Sequence, residues 1–565
     1  MDLLAVRKSF GFGKLEAAVL AIYTAVLAFV IPFHEPWFDE AQAWLIARDS
    51  SLAEIFLRRL HYEGAPGLWS LILWAATRLH MPYRMFGWLA ASFAVAGIYV
   101  LLRYSPFPLI IRILLPLTFF LQYQYAVVAR GYVLFPLLLF SLCALYTLEP
   151  PRPVWFAIVA GLLVNLSLHG AIVAWTLSAL YFYERIRKSR RTSTPIPVAL
   201  PACIFILSAF ISAATAVPAP DVGFAVQKQV SQPLIHRLLI KWMPEASGSP
   251  GVPPPVPDFE ITRDPAADTP AGIWFWNAFY HQNGSSLHKL FLRFAARLYM
   301  LGCIITYPIS TSNLLAIVFL ACTVAWMALS SNLRYLLPYL ALLLLCAAIW
   351  IFEHHTGMLF ITLLAGLWLS YSQIQKRPNS PQPPAWLSAC FVSLLTLILV
   401  LHVSWSIHSI ALDRSSPYDP GKTTAAFLKE HAAGKSVAAL AFEVFAVEPY
   451  FDHPTFSNSK TAYYLWSSNT NVLTHLPEAV QQKPDYIVAA TVLYGDQVLR
   501  DQLVHLISPG TLLNPPPFEP YLVENGYRKT NTFCGDKPMR FGTSNRICDV
   551  IYQPAATISS TSLTR

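Results

Sequence analysis

At 565 residues, 55% hydrophobic, 14% aromatic and only 13% charged, the chain cannot present the polar surface of an ordinary soluble enzyme. Its net charge of +9 collects in short loops between apolar runs, with no basic stripe interleaved with aromatics, which excludes nucleic acid as a partner. The composition is that of a polytopic, all-α membrane protein surrounded by membrane lipid.

Apolar runs recur at 15–33, 83–102, 106–121, 131–148, 153–168, 171–184, 196–217, 312–330, 334–351, 357–373 and 384–408. They predict a bundle of about eleven transmembrane helices. The first run follows Arg7, Lys8 and Lys14 and has no small-residue cleavage site after it, so it reads as a retained anchor rather than a signal peptide. The segment GLWSLILWAATRLH, 67–80, is short for a span and reads as an interfacial helix in the first outer loop. HKLFLRFAARLYM, 288–300, carries Lys289, Arg293 and Arg297 at helical spacing and reads as an amphipathic surface helix.

Lys and Arg gather at Arg7, Lys8 and Lys14, at 184–191 and at 375–377, and cytoplasmic loops carry such excess. The N-terminus is then cytoplasmic. Outer loops fall at 34–82 and 218–298, the membrane domain covers 1–408, and 409–565 lies on the far side of the membrane. That tail is polar, with apolar bursts SVAALAF, DYIVAAT and DVIYQP and a helical pattern at 422–431, which predicts a soluble α/β domain. Cys534 and Cys548 are its two cysteines and form a disulfide candidate in an oxidising compartment. Cys143, Cys203, Cys303, Cys322, Cys346 and Cys390 fall in apolar segments as small buried hydrophobes. The tail has no phosphate loop, G-x-S-x-G or zinc signature, so an accessory or acceptor-binding role is expected of it.

The stretch FHEPWFDEAQAW, 33–44, follows the first apolar run and concentrates polar groups at the membrane edge. Pro36 suits a first turn, so a short helix begins here with Asp39 and Glu40 in its first turns. Adjacent helical residues diverge by about 100°, so one carboxylate can face a ligand while the other pairs with structure. A bland alternative is that both only stabilise the helix start. Phe38 stands where an H-E-x-x-H motif starting at His34 would need its second histidine, which counts against a metalloprotease.

With Asp39-Glu40 just after the first helix, QYQYAVVARGYVL at 122–134 and, in NLSLHG, a histidine that ends a later helix, the chain resembles the GT-C polyprenyl-phosphate-sugar glycosyltransferases. That superfamily includes protein O-mannosyltransferases and the lipid A aminoarabinose transferase. The match to the family's second outer loop runs through Tyr125, Ala129, Arg130, Tyr132 and Leu134, and the histidine is His169. The family's acidic residue before A-R is Val128 here, and its H-P-P-L is replaced by YEGAPGLW, which leaves the subfamily open and suggests a separate bacterial branch.

The resemblance implies a GT-C-like helical bundle in a bacterial inner membrane, transferring a sugar from a polyprenyl-phosphate donor to a protein, lipid or glycan acceptor on the outer face. Inverting transfer needs a base for the acceptor hydroxyl and cations for the departing phosphate. Asp39, helped by Glu40, would supply the first, and Arg130, with Tyr132 and His169, would hold the second through its planar fork. The bland reading of Arg130 is a snorkelling interfacial arginine. His61, Glu63, Tyr125, His354 and His355 are further candidates to line the cavity, each more often an ordinary interfacial residue taken alone. In EHHTG, Glu353, His354 and His355 could contact phosphate or a divalent metal, but neighbouring helical histidines point different ways, so the metal stays open.

Two other classes compete. A transporter of lipid-linked substrate should carry ionisable groups within its spans, which here are nearly charge-free. A membrane assembly or binding protein with an exported accessory domain would explain the silent tail but neither Asp39-Glu40 nor Arg130.

Overall fold

The computed structural model describes residues 13–63, 65–192, 198–217, 219, 301–302, 304–348, 353–376, 381–458, 476–494, 518–540 and 542–555. Arg7, Lys8, Cys303, the 288–300 segment and all of the 218–298 loop but Ala219 lie outside them.

The described chain is mostly helical. Four helices, Tyr83–Tyr104, Ala199–Ala216, His354–Lys376 and Ala385–Ser415, are long and apolar enough to cross a membrane. Gly131–Thr147, Pro153–Val164, Asn313–Leu329 and Leu333–Ala347 are apolar but shorter. Clear candidate spans among the described residues are therefore fewer than the sequence reading of about eleven. The 106–121 run shows why: it breaks into the helix Leu109–Leu114, a 3-10 turn Leu115–Leu117 and a π-turn Phe119–Gln124. Pro116 sits at the break, where it removes a donor and clashes with the preceding turn. Helices of 14 and 12 residues at Leu134–Thr147 and Pro153–Val164 reach only roughly 20 Å, short of an apolar layer of roughly 30 Å.

The His354–Lys376 helix is the axis of the bundle, with every residue from Met358 to Leu369 except Gly366 named among the buried side chains. Around it, Phe29, Phe210, Leu314, Trp386 and Ile407 stand exposed on the outer helices, an apolar girdle of the kind lipid covers. The two ends of the bundle differ in chemistry. At one end Arg112 pairs with Glu16, Arg185 and Lys188 with Glu149, Arg334 with Glu184, and Lys376 reaches the carbonyl of Thr147. The opposite end holds His34, Asp39, Arg130 and His354, and the C-terminal domain is seated there.

That domain is a four-stranded mixed sheet. Its strands are β1 (Val437–Leu440), β2 (Tyr486–Tyr494), β3 (Tyr527–Met539) and β4 (Gly542–Pro554), in the order β1-β2-β4-β3. β1 and β2 run parallel, and β4 is antiparallel to β2 and β3. The apolar bursts of the sequence became β1, β2 and β4, and the 422–431 pattern became the helix Gly421–His431. Their core takes in Leu45, Ile46, Ile55 and Leu60 from the segment after the first helix, so this segment and the tail share one hydrophobic cluster.

β3 had no sequence signal, because TNTFCGDKPM lacks the alternation of a half-buried strand. It is the edge strand and lies against the end of the Ala385–Ser415 helix and the chain beyond it, where Asp536 N–H donates to the Pro417 carbonyl at 2.8 Å. Gly535 permits this approach, since a Cβ there would stand 2.7 Å from the Asp419 backbone. Cys534 and Cys548 face each other across β3 and β4 and are joined in a disulfide. At the β3–β4 turn Arg540 is buried, donates to the Tyr307 carbonyl, and lies over the rings of Tyr307 and Trp405.

Candidate functional site

The site starts from the helix Phe38–Asp49, whose first turn holds the Asp39-Glu40 pair. The helical step sends the two carboxylates to different partners. Glu40 is fully buried: Oε2 accepts from the Trp37 N–H at 3.2 Å and stands 3.4 Å from His34 Nε2, and Oε1 accepts from the Ala129 N–H at 2.5 Å. His34 Nδ1 lies 2.9 Å from Asp413 Oδ2, which also accepts from the Tyr123 hydroxyl at 3.1 Å. Burial opposes a charge on His34, but Asp413 and Glu40 outweigh it and push its pKa up to about 10. Glu40, His34 and Asp413 thus form a buried hydrogen-bonded chain tying the segment after the first helix to the end of the Ala385–Ser415 helix.

Asp39 points the other way and keeps some exposure. Its Oδ2 accepts from Arg130 Nη1 at 2.6 Å, and the same nitrogen is 3.5 Å from His354 Nε2. The Arg130 guanidinium lies 5.1 Å from the Tyr132 ring centroid and 5.9 Å from that of Trp37. Tyr132 OH is 2.8 Å from His355 Nε2, and His169 stacks on His355 at 4.8 Å between centroids. Tyr125 donates to the His354 carbonyl at 2.5 Å. Gly357 makes room for this contact: a Cβ there would meet Phe120 at 2.4 Å and the Tyr125 hydroxyl at 2.7 Å.

Asp39, Arg130, Tyr132, His169, Tyr125, His354 and His355 are therefore gathered in one place. Glu63 borders it, accepting from Gln42 Nε2 at 2.6 Å; burial and then the charge of Asp39 raise its pKa to about 8. His61 is tied elsewhere, its Nδ1 2.6 Å from the Val217 carbonyl. The side chain of Glu353 lies outside the described residues. Among the described residues no group of three or more His, Cys, Asp or Glu side chains is placed to hold a metal ion.

Two contributors come from the tail and carried no sequence signal. Glu443, in the 3-10 turn Phe442–Ala446, is raised to about 7 by burial and by Asp39. Lys537 on β3 is buried, with Nζ 3.7 Å from the centroid of the Trp37 ring. The site is thus a mostly buried carboxylate and guanidinium, walled by histidines and tyrosines from the bundle and by a lysine and a carboxyl from the tail.

Comparison with protein-family models, with curated proteins and with solved structures finds no match to the chain.

Proposed function

We propose that the protein is an integral-membrane, GT-C-like glycosyltransferase that moves a sugar from a polyprenyl-phosphate donor to an acceptor at the outer face of a bacterial inner membrane, with inversion. The observation that carries the reading is the Asp39–Arg130 pair, 2.6 Å apart at the end of the bundle opposite the basic clusters. An acceptor hydroxyl gives its proton to Asp39 as its oxygen attacks the anomeric carbon, the bond from that carbon to the phosphate oxygen breaks, and the polyprenyl phosphate departs with the electron pair. Arg130 meets the charge that develops on the phosphate. Donor phosphate competing for the guanidinium would also release Asp39 from its partner, coupling donor binding to exposure of the base. Glu40, fully buried and bonded to Trp37 and Ala129, holds both members in place and does not act as a second base.

A labelled polyprenyl-phosphate sugar incubated with membranes containing the protein tests the reading. Time-dependent release of free polyprenyl phosphate, absent from membranes without the protein, is expected; no release above that background across hexose, pentose and aminosugar donors contradicts it.

A further inference from the structure

Asp413 lies in the last turn of the Ala385–Ser415 helix, is buried, and bonds to both of the segments that carry the Asp39–Arg130 pair. Its Oδ2 accepts from the Tyr123 hydroxyl at 3.1 Å and stands 2.9 Å from His34 Nδ1. From His34 the bonds continue through Nε2 to Glu40 Oε2 at 3.4 Å, and from Glu40 Oε1 to the Ala129 N–H. Together they form a closed clamp. One arm runs from Asp413 to Tyr123, the other runs through His34 and Glu40 to Ala129, and the backbone from Tyr123 to Ala129 completes the circuit. Each arm ends beside the site, since Glu40 follows Asp39 and Ala129 precedes Arg130. The Tyr418 ring, where the chain enters the tail, packs edge-on against His34 at 4.6 Å between centroids.

Stability alone gives little reason for an aspartate at this place. Among the described residues Asp413 Oδ1 has no hydrogen-bond partner, and an apolar side chain fills a buried position as well as a carboxylate or better. What the carboxylate adds is two directed bonds from one oxygen to two different segments. Both nitrogens of His34 face carboxylate oxygens, so the planar imidazole acts as a stiff spacer between Asp413 and Glu40.

We propose that Asp413 is a positioning residue for Arg130: it anchors the clamp that holds the 123–129 backbone and so sets the guanidinium against Asp39. The inference rests on the donor reading above and deepens it, because the place that Asp413 fixes is the place where Arg130 meets the donor phosphate.

The test uses the full-length protein in lipid nanodiscs, titrated with a polyprenyl phosphate and, separately, with the uncharged polyprenol of the same length. Asp413→Asn keeps the shape and replaces the carboxylate by a neutral, weaker acceptor. It should weaken binding of the phosphate by about tenfold, within the range of couplings between members of one hydrogen-bonded network, and leave polyprenol binding unchanged. In turnover of the polyprenyl-phosphate sugar it should raise KM and lower kcat together, whereas a protein that is only less stable loses active molecules at an unchanged KM. In an Arg130→Ala background the same substitution should cost no further phosphate affinity, since the group it positions is gone. Tyr123→Phe removes one arm of the clamp and should repeat the pattern at smaller size, which decides the question if Asp413→Asn does not fold. Unchanged phosphate affinity, a full additional loss in the Arg130→Ala background, or lost activity at an unchanged KM overturns the inference while leaving the functional reading intact. A wild-type protein that binds polyprenyl phosphate no better than polyprenol overturns both.

Discussion

Glu40 Oε1 and the backbone nitrogen of Ala129 are 2.5 Å apart, so the carboxylate next to Asp39 holds the residue next to Arg130. The pair of side chains at the site is positioned by a second, buried pair one residue behind it. Glu40→Gln puts an amide where a charged acceptor faces His34, Trp37 and Ala129, and leaves the His34 cation short of a partner. Breaking a buried ion pair in this way costs on the order of 3 kcal/mol. The melting temperature should fall and donor affinity should fall with it, because the loop carrying Arg130 shifts. Scanning calorimetry beside a donor titration checks both, and loss of transfer at an unchanged melting temperature would return Glu40 to a direct role.

Glu63 gives the stability a pH dependence whose sign follows from its environment. Its pKa rises from 4.5 to about 8, so between these values the folded protein holds a proton that the unfolded chain has released. Stability from this group therefore falls as pH rises from about 4.5 to about 8. Glu63→Gln keeps the bond to Gln42 within reach and removes the titration. The variant should flatten the pH profile of the melting temperature in that window and melt higher than the wild type at pH 8, by a modest amount because the side chain is only partly buried. A steeper profile in the variant would contradict the assignment.

Cys534 and Cys548 join the two strands that deliver Lys537. Alkylation and mass spectrometry without reductant should find both thiols blocked from modification. Replacing both by serine should destabilise the tail by about 2 kcal/mol, the lower part of the usual range for a short loop. Two freely alkylated thiols in protein taken from membranes would remove the bridge.

On the proposed reading the cations at one end of the bundle face the cytoplasm and the site at the other end faces outward. Alkaline phosphatase fused after Ser416, just past the Ala385–Ser415 helix, should be active, and a fusion at Arg190 inactive. The reverse pattern would place Asp39 on the cytoplasmic side and end the reading of an outer-face enzyme.

Those parts of the molecule that local pattern controls could be read from the sequence. The helix after Pro36, its divergent carboxylates and the strands of SVAALAF and DYIVAAT follow from spacing and apolar content. Arg130 and His169 are singled out by a resemblance that runs through roughly the first 180 residues and weakly beyond. What stayed hidden is tertiary. Lys537 sits in a polar edge strand whose place is set by Gly535 and the chain at 417–419, and no periodicity within β3 announces that it ends beside Trp37. His34 and Asp413 are separated by 379 positions and look like loop and helix-end residues until they are seen 2.9 Å apart. Clear spans among the described residues number fewer than the apolar runs for a related reason: apolar length is visible in the sequence, but Pro116 and the π-turn after it divide one run into pieces.

The most direct measurement is donor turnover by Asp39→Asn set beside donor binding by the same purified protein. The substitution keeps size and shape and removes proton acceptance, so release of free polyprenyl phosphate should fall to background while donor affinity stays the same or tightens as Arg130 loses its partner. Arg130→Lys should differ from it, weakening donor binding and lowering turnover together, by on the order of 2–4 kcal/mol in transition-state stabilisation. Near-normal release of polyprenyl phosphate by Asp39→Asn, in protein that still binds the donor, would contradict the assignment of Asp39 as the base and with it the account of the site.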